Sequence, residues 1–407
     1  MKGEKVKLGQ AYWLQEGPGV RKWQFTTSGV KLLNVANILK TGVIDLTKTD
    51  RHLSEEEVSK KYSHFLADEG DLVIASSGIS IDDDGFLRTR GAFIEESHLP
   101  LCMNTSTIRF KGVDGVSDLR FLKHWLQSFE FRSQISREVT GIAQKNFGPS
   151  HLNRIWIHLP PLSEQKRIAE ILDKADALRA QRRESIAKLD ELLQATFLDM
   201  FGDPVTNPKG WAVGRLSNVV ARLDGGKNLA PSETETKYRV LKVSAVTYGV
   251  YRPEESKYLP SDFRVPNSYI VRKGDLLISR ANTAELIGAT AFVWETPENI
   301  VLPDKIWKFI WRSNVRIEPL FIFHLSKDPG FRRVLGRRAT GTSGSMKNIA
   351  KPKLLSLTVP VPPFELQRRF SSIVVSIEGQ KARLRSSLAE LDTLFASLQS
   401  RAFNGGL

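Results

Sequence analysis

Two short segments of the sequence carry residue types that could do chemistry. Asp82-Asp83-Asp84 sets three carboxylates side by side, the donor type that hard divalent cations take. Pro303-Asp304-Lys305 has the acid and the lysine of a metal-dependent nuclease motif. The first runs into Gly85 between expected strands and reads as a solvated turn. The second has no further acid-x-Lys at a useful spacing beyond it, so the motif is not completed. Seven scattered histidines and one cysteine, Cys102, make no zinc pattern, and Cys102 reads as a buried core thiol. There is no G-x-x-x-x-G-K-[ST] loop for a nucleoside triphosphate. Nor is there an Asn/Asp-Pro-Pro-Tyr/Phe cluster for a flipped base, or a glycine-rich strand-to-helix turn for S-adenosylmethionine or a dinucleotide. The chain is expected to catalyse nothing and to hold no cofactor or metal of its own.

The remaining candidates are binding residues. The loop around Arg337, Arg338, Ser345, Lys347 and Asn348 places donors on a glycine-rich backbone that can approach phosphates closely. Gln144, Lys145 and Asn146 form its counterpart earlier in the chain. Arg280, Asn282 and Thr283, just past an expected strand end, are a further group able to reach a base edge. Their opposite number, Ser76-Ser77-Gly78, lacks the arginine. Two readings stand for each group: contact with DNA, or a turn whose polar residues cap strands. Charge favours a polyanion. The net charge is +14, and residues 204–358 hold 25 Lys and Arg against 13 Asp and Glu. Residues 1–158 hold 21 against 19, so the excess is concentrated in the later block.

These candidates recur because the chain repeats itself. At a shift of 202 positions, Leu159-Pro160-Pro161-Leu162 falls on Val361-Pro362-Pro363-Phe364, and Gln165-Lys166-Arg167-Ile168 on Gln367-Arg368-Arg369-Phe370. Gly70-Asp71-Leu72 matches Gly274-Asp275-Leu276 at a shift of 204. Within each half, runs such as Asp71–Ala75, Asp275–Ser279, Leu241–Val246 and Ala289–Trp294 read as strands, and Leu119–Gln134 and Pro319–Leu335 as helical patches. Each half then closes on a helix of about 37 residues, entered through Pro-Pro with Ser163 as its cap in the first copy. Ile168, Leu172, Ile186, Leu189 and Leu193 recur at heptad spacing in one helix, and Phe370, Val374, Leu384, Leu388, Leu391 and Phe395 in the other. Gly202 and Gly405 are the stop signals. Arg179, Arg182 and Lys381 interrupt the apolar seam, either reaching water on their long stems or fixing register. The expected fold is α+β. Two pseudo-repeated recognition domains, 1–158 and 204–358, are separated by helices at 159–203 and 359–407 that form an antiparallel coiled coil.

This duplicated plan, with its P-P-x-x-x-Q-x-x-[IF] helix entry, resembles the specificity subunit of type I restriction-modification enzymes. Lys273–Arg280 and Pro208-Lys-Gly-Trp211 add to the likeness, which covers essentially the whole chain. Two departures stand out: no short Thr-Ala-Glu-Leu-like repeat lies between domain and helix, and Leu366-Gln367 replaces Glu164-Gln165. The resemblance implies a sequence-specific subunit that reads a bipartite, asymmetric site in double-stranded DNA. It further implies that the helices dock two modification (methyltransferase) subunits, and through them the restriction subunits, with S-adenosylmethionine, ATP and Mg²⁺ on those partners. The rivals are a coiled-coil scaffold that only joins proteins, and a nuclease with an unfamiliar site. No stretch approaches the roughly 20 apolar residues of a membrane helix, no signal peptide is read at the N-terminus, and a lone cysteine fits a reducing compartment; the expected location is the cytoplasm.

Overall fold

The repeated glutamine of the helix entry is a clamp. In the computed structural model, which describes all residues except 1–2, 82–84, 140–145 and 342–346, Gln165 and Gln367 are both buried. The Gln165 side-chain carbonyl accepts from the backbone N–H of Asp118 at 2.9 Å, and its amide donates to the carbonyls of Val116 (2.9 Å) and Pro160 (2.8 Å). Gln367 repeats this, accepting from Glu318 N–H at 3.1 Å and donating to Pro362 O at 2.8 Å. A buried amide must find partners for both ends. Here that requirement ties each long helix to the start of a shorter one. The long helices span Leu162–Phe201 and Phe364–Phe403. The first starts one residue earlier than the sequence suggests, so Ser163 lies inside the first turn and is not its cap. Gly202, at φ +77°, ends it.

The chain forms two compact units, Met1–Arg183 with Ser386–Leu407, and Glu184–Arg385. In the first, a four-stranded antiparallel sheet runs in the order Tyr12–Glu16, Thr107–Gly112, Leu72–Ala75, Gly91–Phe93. In the second, the order is Val220–Gly225, Ile306–Trp311, Leu276–Ser279, Thr290–Phe292. Each unit adds a three-stranded sheet with one parallel pair, Lys31 opposite Leu101 in one and Arg239 opposite Ile300 in the other. Gly70 and Gly274, at φ +82° and +87°, make the turn into the matching strand, which explains the repeated Gly-Asp-Leu. The aspartate of that motif meets a buried cation on the neighbouring strand: Asp71 with Arg109 at 3.2 Å, and Asp275 with Lys308 at 3.4 Å.

Two expectations change. Leu241–Val246 is not one strand: the strand ends at Leu241 and Val243–Ala245 is a 3-10 turn. Each helical patch is two helices, Leu119–Trp125 with Phe129–Glu138, and Pro319–Lys327 with Pro329–Arg338. The break is local chemistry. Ser128 accepts from Phe131 N–H at 3.3 Å and Asp328 from Phe331 N–H at 2.8 Å, each capping a new helix, and Pro329 suits its first turn.

Within each unit one long helix packs antiparallel on the other. In the first, Ile168 and Leu172 share a core with Phe395 and Ala402. In the second, Leu193, Phe197 and Phe201 share one with Phe370, Val374 and Ile377. Ile186, Leu189, Leu384, Leu388 and Leu391 are only half-buried. Two of the three basic residues of the seam are paired, while Arg182 is half-buried and its Nε has no hydrogen-bond partner among the described residues. Arg179 reaches Asp392 and Asp176, both at 2.6 Å, and lies 4.3 Å over the Phe395 ring. Lys381, 3% exposed, reaches Asp190 and Glu378, both at 2.5 Å. A shift of 202 carries Arg179, Asp176 and Asp190 onto Lys381, Glu378 and Asp392, so one triad is the image of the other with the helices' roles exchanged. These heads meet carboxylates across the seam; they do not simply reach for water.

His324 gives the second unit an acid-sensitive core. Its ring lies 5.1 Å from Phe370 and 5.2 Å from Phe323, and its Nε2 has no hydrogen-bond partner among the described residues. Burial first, then the charges of Lys327 and Lys381, push its pKa down to about 3. The unfolded chain takes up the proton below about pH 6.5, while the folded chain resists it. Stability is therefore complete above that pH and falls by roughly 1.4 kcal/mol per unit as pH drops toward 3. Melting temperatures between pH 7 and 4 should show this decline, and His324→Leu should flatten it. An equal slope in the variant would assign the acid sensitivity elsewhere.

Candidate nucleic-acid interface

At one end of the second unit's four-stranded sheet, the structure joins sequence-predicted groups that lie some 65 residues apart. Just past the strand Leu276–Ser279, Ala281–Asn282 pairs antiparallel with Lys347–Asn348, with Ala281 opposite Asn348 and Asn282 opposite Lys347. Ile349 N–H donates to Arg280 O at 2.9 Å, and Thr340 and Asn348 exchange two backbone bonds of 2.8 Å. Thr340 lies two residues beyond the helix Pro329–Arg338. Arg280, Asn282, Thr283, Lys347 and Asn348 are thus on one short ribbon, with Arg337 and Arg338 at the helix end that feeds it. Ser345 lies outside the described residues.

These side chains differ in how free they are. Arg337 and Arg338 are exposed, with no acidic partner among the described residues, at the helix end whose dipole favours cations. Thr283 is exposed, and its N–H donates to Asn282 Oδ1 at 2.9 Å. Asn282 also donates through Nδ2 to Thr247 Oγ1 at 3.3 Å. Lys347 donates to Gly341 O at 2.8 Å. Arg280 is the most committed. Its Nε donates to Asp304 O at 2.8 Å, its Nη2 reaches the Asp304 carboxylate at 3.4 Å, and it lies 5.7 Å over the Trp307 ring. Asp304, the acid of the nuclease-like tripeptide, serves this anchor. No three His, Cys, Asp or Glu side chains gather as a metal site among the described residues.

The first unit repeats the backbone link with different side chains. Phe147 N–H donates to Ser76 O at 3.0 Å, as Ile349 does to Arg280 O, and it holds exposed Asn146 beside the strand end. Gln144 and Lys145 lie outside the described residues, as do Asp82-Asp83-Asp84. Sequence reasoning missed Arg137. It is exposed near the end of Phe129–Glu138, without an acidic partner among the described residues, at the position Arg337 holds in the second unit. The signal was available, because these helices align at a shift of 200 and not 202. Cys102 is fully buried, and its thiol is pushed up to about 12 by burial, opposed by the Arg109 charge. No helix among the described residues is long and apolar enough to cross a membrane.

Comparison with known proteins bears on this arrangement. Residues 26–188 match the family model described as type I restriction modification DNA specificity domain. The type I restriction enzyme EcoKI specificity subunit of Escherichia coli (strain K12) is 26% identical over 305 residues. That match takes in 70% of this chain and 65% of the relative, so it spans a little under two-thirds of the relative's length. The crystal structure of a type I restriction-modification S subunit from M. genitalium superposes with a TM-score of 0.57 at 15% identity, covering 99% of this chain and 96% of that one. A second solved chain, from a structural study of complex assembly and conformational transition of the type I R-M system, gives 0.51 at 18% identity, with 100% and 98% covered. At these identities the solved structures speak to the fold, and it is the same fold. Family model, relative and fold point the same way: the chain is similar to type I restriction modification DNA specificity proteins and shares their fold.

Proposed function

We propose that this chain is the DNA-reading subunit of a type I restriction-modification enzyme and that each of its two units reads one part of a bipartite, asymmetric site. The observation that carries the reading is the repeated sheet end. In both units a strand terminus is bonded to the segment that precedes the last short strand, and the second of each unit's paired short helices carries an exposed arginine near its end. Arg337, Arg338 and Arg137 supply phosphate contacts, while Asn282, Thr283, Lys347, Asn348 and Asn146 stand at base-reading positions. The long helices dock two modification subunits, which bring S-adenosylmethionine, and restriction subunits join through these with ATP and Mg²⁺. The chain itself catalyses nothing, binds none of these cofactors and works in the cytoplasm. A relative studied for complex assembly of that system supports the partner assignment.

The test is the salt dependence of duplex binding. Each phosphate contact contributes about 0.9 to the slope of log affinity against log salt. Arg337→Ala/Arg338→Ala should therefore flatten the slope by about 2 units of that measure. An unchanged slope removes this helix end from the interface. A wild-type chain that retains no duplex at low salt returns the protein-scaffold reading.

A further inference from the structure

Beside the polar ribbon of the second unit stands an aromatic residue that packing does not require. Tyr248 is 67% exposed, one residue past Thr247, whose hydroxyl accepts from Asn282 Nδ2 at 3.3 Å and donates to Val243 O at 2.8 Å. Gly249, at φ +73°, closes the turn with a bond from its N–H to Val246 O at 3.4 Å. The tip is thus pinned to the strand that carries Asn282. The guanidinium of exposed Arg252 lies 5.6 Å over the Tyr248 ring, and the Tyr248 hydroxyl has no partner among the described residues.

The first unit shows that this turn does not need an aromatic. There the 3-10 segment Val35–Asn37 likewise follows the first strand of the three-stranded sheet and leads to Gly42 at φ +79°. The residue before that glycine is Thr41. An exposed aromatic on a pinned turn, backed by arginine and within one hydrogen bond of Asn282, offers a rigid apolar face at the level of the polar ribbon.

We propose that Tyr248 contacts bases in the part of the site read by the second unit, its ring lying against base edges in the groove. This rests on the DNA reading above. An apolar contact of this kind discriminates by shape and by the thymine methyl group, which the polar side chains beside it do not. It carries no charge and therefore leaves the phosphate contribution untouched.

The experiment uses the full chain and the duplex that the wild type enriches from a random pool. Tyr248→Ala should weaken binding to that duplex by about 5- to 150-fold, the span of one lost base contact. The salt slope should not change, because no phosphate contact is lost. Tyr248→Phe should bind like the wild type, since the ring makes the contact. Selection with Tyr248→Ala should lose base preference in one part of the site and keep it in the other. Wild-type affinity and motif in Tyr248→Ala would overturn the proposal. So would a variant that binds DNA normally but loses a partner subunit. If the wild type itself enriches no sequence, the DNA reading fails and takes this inference with it. Enrichment by the wild type with a silent Tyr248→Ala overturns the tyrosine's role alone.

Discussion

Asp71→Ala destabilises the first unit by about 3–5 kcal/mol, the cost of leaving one partner of a buried ion pair behind. Arg109 is 5% exposed and Asp71 3%. The guanidinium also bonds Gln15 Oε1 at 2.9 Å and His64 O at 2.9 Å, so it is held in place and cannot swing out to water when the carboxylate goes. Urea unfolding should show the midpoint drop, most clearly in a probe of the sheet that holds Trp13, over which Arg109 lies at 5.0 Å. Replacing both partners by apolar residues, Asp71→Leu with Arg109→Met, should recover part of the loss, because no uncompensated charge is then buried. In the second unit the matching Asp275→Ala should cost less. Its partner Lys308 also donates to Ile270 O at 2.8 Å, and the Asp275 side chain is already 19% exposed. A loss under about 1 kcal/mol for Asp71→Ala would mean that Arg109 rehydrates and the pair is not a structural element.

Phe370→Ala removes the ring on which the second unit's helix pair closes. Phe370 is fully buried, 5.3 Å from Phe201, 5.5 Å from Phe197 and 5.1 Å from His324, all in crossed-ring arrangements. Deleting a buried phenyl costs about 3–5 kcal/mol through lost transfer energy and the cavity left behind. The same truncation at half-buried Leu391 should cost far less, since much of that side chain already meets water. Equal losses at the two sites, read from denaturant midpoints, would show that the seam's middle carries as much stability as its ends.

The contrast between these positions shows what the sequence makes legible. The heptad spacing identifies the helices and their apolar stripe, because periodicity depends on neighbours along the chain. It does not reveal that the middle of the stripe is held by Arg179 with Asp392 and Lys381 with Asp190, since the facing residue is some 200 positions away. The duplication itself is readable because its motifs answer local demands: a glutamine that must satisfy two carbonyls or amides, a glycine that must adopt positive φ. Leu241–Val246 has the composition of a strand, and the turn inside it is set by Thr247 bonding back to Val243. The DNA-facing candidates were partly visible as polar residues on glycine-rich loops. That Ala281–Asn282 pairs with Lys347–Asn348 depends on a long-range ladder, and that Arg280 is tied down depends on Asp304 24 residues onward. Tyr248 gives no signal in sequence, because a tyrosine beside glycine is ordinary until its exposure is known.

The most direct measurement is selection of duplexes from a random pool by the purified chain, repeated with Tyr248→Ala and with Arg337→Ala/Arg338→Ala. If each unit reads DNA as proposed, two units of one plan but different side chains predict two blocks of preferred bases, unlike in sequence, with unread positions between them. The variants of the second unit should blur or weaken one block while the other keeps its sequence. A single contiguous motif, two identical blocks, or no enrichment at all would contradict the account.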